Sequence, residues 1–203
     1  MKIVCVGRNY LAHIKELDND LPSEPMFFMK PETALLPAGE PFPYPDFSKE
    51  IHYETELVLH ICKSGKNISE SQSADYYDAI TVGIDFTARD LQSRCKAKGH
   101  PWEIAKSFDY SAPMGGFKKI STLKHPDDIA FGMKLNGNWA QQGHSRDMIF
   151  SFDKIISHVS RFVTLEAGDY IFTGTPQGVG EVHVGDVLEL FLEEERVLQF
   201  VVK

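Results

Sequence analysis

His52-Tyr53-Glu54-Thr55-Glu56-Leu57-Val58-Leu59 is the stretch on which the reading of this chain turns. Its apolar end predicts a strand, and alternate residues of a strand share one face. Glu54 and Glu56 then point the same way, roughly 6–7 Å apart along the strand. At that distance two carboxylates repel by about 2–3 kcal/mol at an effective dielectric near 20. A half-exposed strand with an acidic wet face would relieve the repulsion in water. A hard divalent cation would relieve it too, and would select oxygen ligands such as these. Further on, Ala79-Ile80-Thr81-Val82-Gly83-Ile84-Asp85 predicts a second strand, ending on a third carboxylate.

Outward from these two strands the pattern is β-rich. Residues 2–6 predict a strand, Gly7-Arg8-Asn9 a turn, and residues 10–17 a short helix with Asn9 as its cap. Residues 26–29 predict another strand, followed by an irregular segment marked by Pro31, Pro37, Pro41 and Pro43. A short helix is expected near residues 74–77. Thr87-Ala88-Arg89-Asp90 has the form of a capping box, for a helix that Gly99 would end. Asn136-Gly137 is a hairpin signal. Phe152, Ile155, Ile156, Val159, Phe162 and Val163 keep helical spacing over residues 151–163. Two strands, 186–192 and 197–202, close the chain around the acidic turn 193–195. Strands outnumber helices and their connections are too varied for repeated βαβ units, so the expected class is β-rich α+β.

The chain has 203 residues, 42% of them hydrophobic, with 14 Phe, enough for a substantial core. No internal repeat divides it, and one domain over residues 1–203 is expected. The formal charge of −8 argues against a nucleic-acid or anionic-membrane surface. Cys5, Cys62 and Cys95 are far apart and lack CxxC spacing, which excludes a disulfide framework and a zinc site as expectations. The apolar run at residues 3–6 is too short for a signal sequence, and no stretch approaches membrane-span length. A reducing, cytoplasmic compartment is the expectation.

The motifs fall into a recognisable order. Val6-Gly7-Arg8-Asn9-Tyr10 is followed by His13 and Glu16, then Phe28-Met29-Lys30-Pro31, Glu54-Thr55-Glu56, and Asp85-Phe86-Thr87-Ala88-Arg89-Asp90-Leu91-Gln92. Ala105-Lys106-Ser107-Phe108-Asp109, Leu135-Asn136-Gly137 and Phe172-Thr173-Gly174-Thr175-Pro176-Gln177-Gly178-Val179-Gly180 complete the series. Over nearly the whole chain this resembles the fumarylacetoacetate hydrolase family, in its short acylpyruvate hydrolase and oxaloacetate decarboxylase branch. The resemblance implies a mixed β-roll or barrel-like core with a few short helices, a homodimer, and Mg²⁺ or Mn²⁺ held by Glu54, Glu56 and Asp85. Three monodentate carboxylates leave about half of an octahedral shell for water or a chelating 2-oxo acid. The extra N-terminal domain of the longer fumarylacetoacetate hydrolases has no counterpart here, which points away from fumarylacetoacetate as substrate.

The remaining roles also come from the resemblance. His13 and Glu16 lie three apart on one helical face and can hydrogen-bond; by spacing alone they are an incidental surface pair. In the related enzymes such a pair sits on a mobile lid, here about residues 8–25, and activates water. Lys106, by itself an ordinary surface lysine, becomes an oxyanion stabiliser beside the metal. Arg89 and Gln92 become substrate-pocket residues, and Thr175 a binder of the substrate carboxylate. His52 and His60 share the glutamate face but match no family ligand, His100 and His144 read as loop residues, and Trp102 reads as core. Gln142-Gly143-His144-Ser145-Arg146-Asp147-Met148 departs from the family's more usual Gly-Asn-Thr pattern.

The leading expectation is therefore a Mg²⁺-dependent hydrolase cleaving the C–C bond of small acylpyruvates and also able to decarboxylate oxaloacetate. Tautomerisation of oxaloacetate, or isomerisation of an unsaturated 2-hydroxy dioic acid, needs the same parts without an attacking water. A non-catalytic cation-binding scaffold is the expectation from a different class.

Overall fold

A computed structural model describes residues 1–18 and 20–203. The chain begins with β1 (Ile3–Gly7), α1 (Leu11–Glu16) and β2 (Met26–Lys30). After a 3₁₀ turn at Glu32–Ala34 come β3 (Ile51–Tyr53), β4 (Thr55–Ile61), β5 (Tyr77–Ile84), β6 (Thr87–Ala88), α2 (Arg89–Lys98) and α3 (Glu103–Lys106). The second half holds β7 (Lys118–Lys119), β8 (Ala130–Leu135), β9 (Asn138–His144), α4 (Phe152–Phe162), β10 (Tyr170–Phe172), β11 (Gly180–Glu181), β12 (Val187–Leu192) and β13 (Glu195–Val201). The fold is α+β and strand-rich, with few helices. Among the described residues no helix is long and apolar enough to cross a membrane.

The strands form a six-stranded sheet in the order β2-β1-β10-β4-β5-β7, a three-stranded sheet β11-β3-β6 and a four-stranded sheet β13-β12-β8-β9. The six-stranded sheet is mixed, because β1 and β10 run parallel while the other pairs are antiparallel. Among the described residues no sheet closes into a barrel.

β4 is central and buried on both faces. Leu57, Leu59 and Ile61 enter the larger apolar cluster, whereas Val58, on the glutamate face, packs with Ile3, Cys5 and Phe172. Each such side chain contributes about 2 kcal/mol of transfer free energy. Glu56 is thus mounted on a central, buried strand.

Glu54 itself corrects the expectation of one uninterrupted strand. It lies between β3 and β4, where the chain passes from the three-stranded to the six-stranded sheet. Its carbonyl still accepts from the Asp85 N–H at 2.8 Å, and Gln141 Oε1 takes the Thr55 N–H at 2.8 Å. The Glu54 carbonyl and the Thr55 N–H are therefore both paired across the break.

Three local expectations also need correction. Asn9 does not cap α1, whose N-cap is Tyr10 without a side-chain bond. Thr87 and Ala88 form a short strand, so the capping box does not close; Asp90 instead accepts from Ser48 Oγ at 2.6 Å and the Leu91 N–H at 2.8 Å. The segment before β5 is a 3₁₀ helix at Glu70–Tyr76. Other signals hold. Gly99 ends α2 with φ +65°. Asn136 and Gly137 both take positive φ (51° and 80°), as a type I′ hairpin requires. Ser151 caps α4 by accepting from the Lys154 N–H.

Candidate active site

Antiparallel pairing of β4 with β5 sets Glu56 opposite Gly83. A Cβ at Gly83 would stand 2.8 Å from the ring of Phe172 on β10, so a side chain there would displace that ring. Asp85 follows directly on β5, bonded through its N–H to Glu54. The three carboxylates converge, with one oxygen of each lying within 4.8 Å of the others. They are almost fully buried, at 7% exposure for Glu54, 2% for Glu56 and 1% for Asp85.

Cations surround them. Lys106, at the end of α3, bridges Glu54 Oε2 at 2.8 Å and Asp85 Oδ2 at 2.7 Å. Arg89, opening α2, donates to Glu54 Oε1 at 2.6 Å and to Gln92 Oε1 at 2.7 Å. Lys30 approaches Asp85 Oδ1 at 2.8 Å, outside hydrogen-bond geometry. Burial alone would raise the Glu54 carboxyl, but Lys106, Arg89 and His13 overcome it and hold the group well below the usual carboxylate range. Glu56 goes the other way. Burial first, then the charges of Asp85 and Glu54, push it well above that range. Burial opposes the Lys106 ammonium, but Asp85 and Glu54 prevail and raise its pKa.

These residues fit a divalent cation. Ligand oxygens about 2.1 Å from an ion stand roughly 3 Å apart when adjacent and 4 Å when opposite. Closing from 4.8 Å therefore needs side-chain shifts of at most about 1 Å. Asp85 Oδ1, buried without a hydrogen-bond donor, and the strained charge of Glu56 both favour a cation there. Glu54, Glu56 and Asp85 balance the charges of Lys30, Arg89 and Lys106, so a dication, with Arg8 and Lys96 on the cavity wall, would give the site a net positive charge suited to a dianionic ligand.

The other expected residues gather at the same place. A small cavity of about 40 Å³ is lined by His13, Glu54, Glu56, Arg89, Gln92, Lys106 and Thr175, together with Arg8, Phe28, Lys96 and Trp102. His13 Nδ1 lies 3.0 Å from Glu16 Oε2, and Glu16 Oε1 accepts from the Gly178 N–H at 2.9 Å. Glu16 therefore fixes the imidazole and ties α1 to the turn that carries Thr175. Asn19, inside the expected lid, lies outside the described residues. His52 and His60 stand away from the cavity, beside Glu50 and Asp78 respectively. His144 corrects a loop expectation: the hairpin runs on, and this residue ends β9 beside Asp128. Trp102 corrects a core expectation, since it walls the cavity.

Three positioning residues had no role at the site assigned from the sequence. Asn9 donates to the carbonyls of Phe150 at 3.0 Å and Thr173 at 2.8 Å and accepts from the Phe150 N–H at 2.7 Å, joining the start of α1 to the Thr175 turn. Gln141 reaches both sides of the site, accepting from Thr55 and donating to Thr175 Oγ1 at 2.9 Å and the Pro176 carbonyl at 2.9 Å. Lys30, 1% exposed, donates to the carbonyls of Phe86 at 3.2 Å, Ser111 at 3.1 Å and Lys106. A lysine closing an apolar strand directly before Pro31 was the available signal for the last; Gln141 gave none.

The chain is similar to several known proteins. The chain is 43% identical over 187 residues to the mitochondrial oxaloacetate tautomerase of Bos taurus, covering 92% of this chain and 85% of that protein. Among solved structures, fumarylpyruvate hydrolase from Pseudomonas aeruginosa in complex with Mn²⁺ and pyruvate superposes with a TM-score of 0.94 at 38% identity, covering 100% of this chain and 89% of that one. The 5-carboxymethyl-2-hydroxymuconate delta-isomerase from Mycobacterium smegmatis superposes at 0.87 with 30% identity, covering 99% and 78%. The fumarylacetoacetate (FAA) hydrolase C-terminal family matches residues 2–202, and the chain belongs to that family.

Proposed function

We propose that this protein is a Mg²⁺- or Mn²⁺-dependent enzyme that interconverts the enol and keto forms of oxaloacetate through its C2 enolate. The observation that carries the reading is a carboxylate-paired imidazole, His13, in the same small cavity as the buried Lys106 and two members, Glu54 and Glu56, of the three-carboxylate cluster. The oxaloacetate tautomerase named among its relatives supports it. Glu54, Glu56 and Asp85 would hold the ion, which when bound supplies Lewis-acid polarisation of the 2-oxo group. His13, with Nδ1 engaged by Glu16, takes the C3 proton of the keto acid at Nε2 and delivers it to the C2 oxygen of the enolate to give the enol; the reverse sequence returns the keto acid. The Lys106 ammonium stabilises the charge that develops on the C2 oxygen, and the walls of the closed site strengthen that interaction by excluding water. Thr175, held by Gln141, meets the C1 carboxylate, while Arg89 and Gln92 form the facing wall.

Hydrolysis of small acylpyruvates is the second reading. The His13–Glu16 pair favours it, because the same imidazole can draw a proton from water attacking the distal carbonyl, with a pyruvate enolate as leaving group. Product identity separates the two. With enolic oxaloacetate and Mg²⁺, loss of enol absorbance without pyruvate release is expected, and chelation should stop it. Release of pyruvate plus a carboxylic acid from acylpyruvates at a much higher kcat/KM would favour hydrolysis instead.

His13 on α1 and Leu17 at its end line the cavity, so we expect α1 to move when a four-carbon acid enters. We expect hydrogen exchange at residues 11–17 to be faster than in β4 and to slow when oxalate binds the metal-loaded protein. Exchange as slow as the core, and unchanged by oxalate, would remove the lid from the account.

A further inference from the structure

Two cations at the cavity are not used by the chemistry above. Arg8 and Lys96 line it, yet the paired cations of its wall are Arg89, with Glu54, and Lys106, with Glu54 and Asp85. Among the described residues neither Arg8 nor Lys96 meets a carboxylate. Lys96 is exposed at the rim, its ammonium 5.5 Å over the Trp102 ring. Burial by its neighbours, then the like charges of Arg89 and Arg8, lower its pKa, so charges of one sign crowd this side of the opening.

Arg8 is also held there at a cost. Its φ of +59° lies in the left-handed region, unfavourable for a side chain larger than Asn by about 1 kcal/mol or more. The three bonds made by Asn9 fix the turn in that shape. A half-buried guanidinium and a rim ammonium line one cavity, and without an acidic partner among the described residues they await an anion. The catalytic carboxylates and Lys106 sit deeper, where they meet the 2-oxo end of a substrate.

We propose that Arg8 and Lys96 are specificity-determining residues that bind the second, distal carboxylate of a 2-oxo dioic acid and so favour such acids over 2-oxo monoacids. The assignment rests on the proposed reading of the site as one for 2-oxo acids. It commits that site to substrates with a carboxylate at each end, rather than to acylpyruvates with an apolar tail.

Calorimetric binding to the Mn²⁺-loaded protein tests it with two probes. 3,3-Difluorooxaloacetate has both carboxylates and no C3 proton to lose; oxalate can chelate the metal but has no distal group. Both are dianions, so a diffuse positive field would act on them alike. Lys96→Gln, at an exposed position, is expected to weaken difluorooxaloacetate about tenfold and oxalate less than about twofold. Arg8→Asn, which keeps a residue tolerant of positive φ, should do the same, and Lys96→Arg should restore most of the affinity. Equal weakening of both probes, or no weakening of either, would overturn the assignment. If wild-type protein binds neither probe, the 2-oxo acid reading fails and this assignment falls with it.

Discussion

Glu56→Gln is expected to lower divalent-cation affinity by at least about 10²-fold and turnover by at least about 10³-fold, without unfolding the protein. The first figure is a lower bound, because losing a mere outer-shell partner of a metal ligand already costs 10–100-fold. Folding should survive because the amide oxygen can still accept from the Gly174 N–H, which now meets Glu56 Oε2 at 2.7 Å. Metal-free stability should even rise slightly. Burial and the adjacent Asp85 and Glu54 charges disfavour the ionised Glu56 in the fold, and the substitution removes that charge. In the presence of Mn²⁺ the order reverses. The wild type gains about RT ln(1 + [L]/Kd), or roughly 2.7 kcal/mol at a hundredfold excess over Kd, and the variant does not. Thermal unfolding with and without Mn²⁺ checks both arms. A variant that binds the ion as tightly as wild type would remove Glu56 from the ligand set.

The second large effect separates proton transfer from ion binding. His13→Ala should reduce turnover by about 10²–10⁴-fold, the usual contribution of a positioned acid/base, while changing Mn²⁺ affinity by less than about threefold. Its helix supplies no oxygen to the carboxylate cluster. Glu16→Gln should fall less far, since the amide can still bond to the imidazole and to the Gly178 N–H while losing the charge that favours imidazolium. Steady-state kinetics at saturating metal, together with a metal titration of each variant, gives the comparison. Near wild-type turnover by His13→Ala would mean that another group moves the proton.

Much of this site could be read in the sequence because its logic is short-range. Glu54 and Glu56 face the same way by strand alternation, His13 and Glu16 by helical spacing, and the Asn136-Gly137 turn by its own backbone preference. The break at Glu54 was not legible, because alternation continues across it and only pairing with different sheets reveals it. The capping box failed for a related reason. Asp90 has the right spacing, but Ser48 and the Lys49 N–H, 42 and 41 residues away, take its oxygens. Asn9 likewise serves partners 141 and 164 residues distant. Lys30 and Gln141 are buried polar groups whose partners come from three and two distant segments respectively, so no local pattern marks them. Arg8 and Lys96 became notable only when the other cations of the cavity proved to be paired.

Exchange of the C3 protons of oxaloacetate in D₂O, followed by NMR with saturating Mg²⁺, tests most directly whether this site makes an enolate. Wild-type protein should exchange them well above the rate set by free Mg²⁺. His13→Ala should lower that rate, and both Glu56→Gln and chelation should return it to background. Exchange no faster than with free Mg²⁺, in protein shown to bind the ion, would contradict the account.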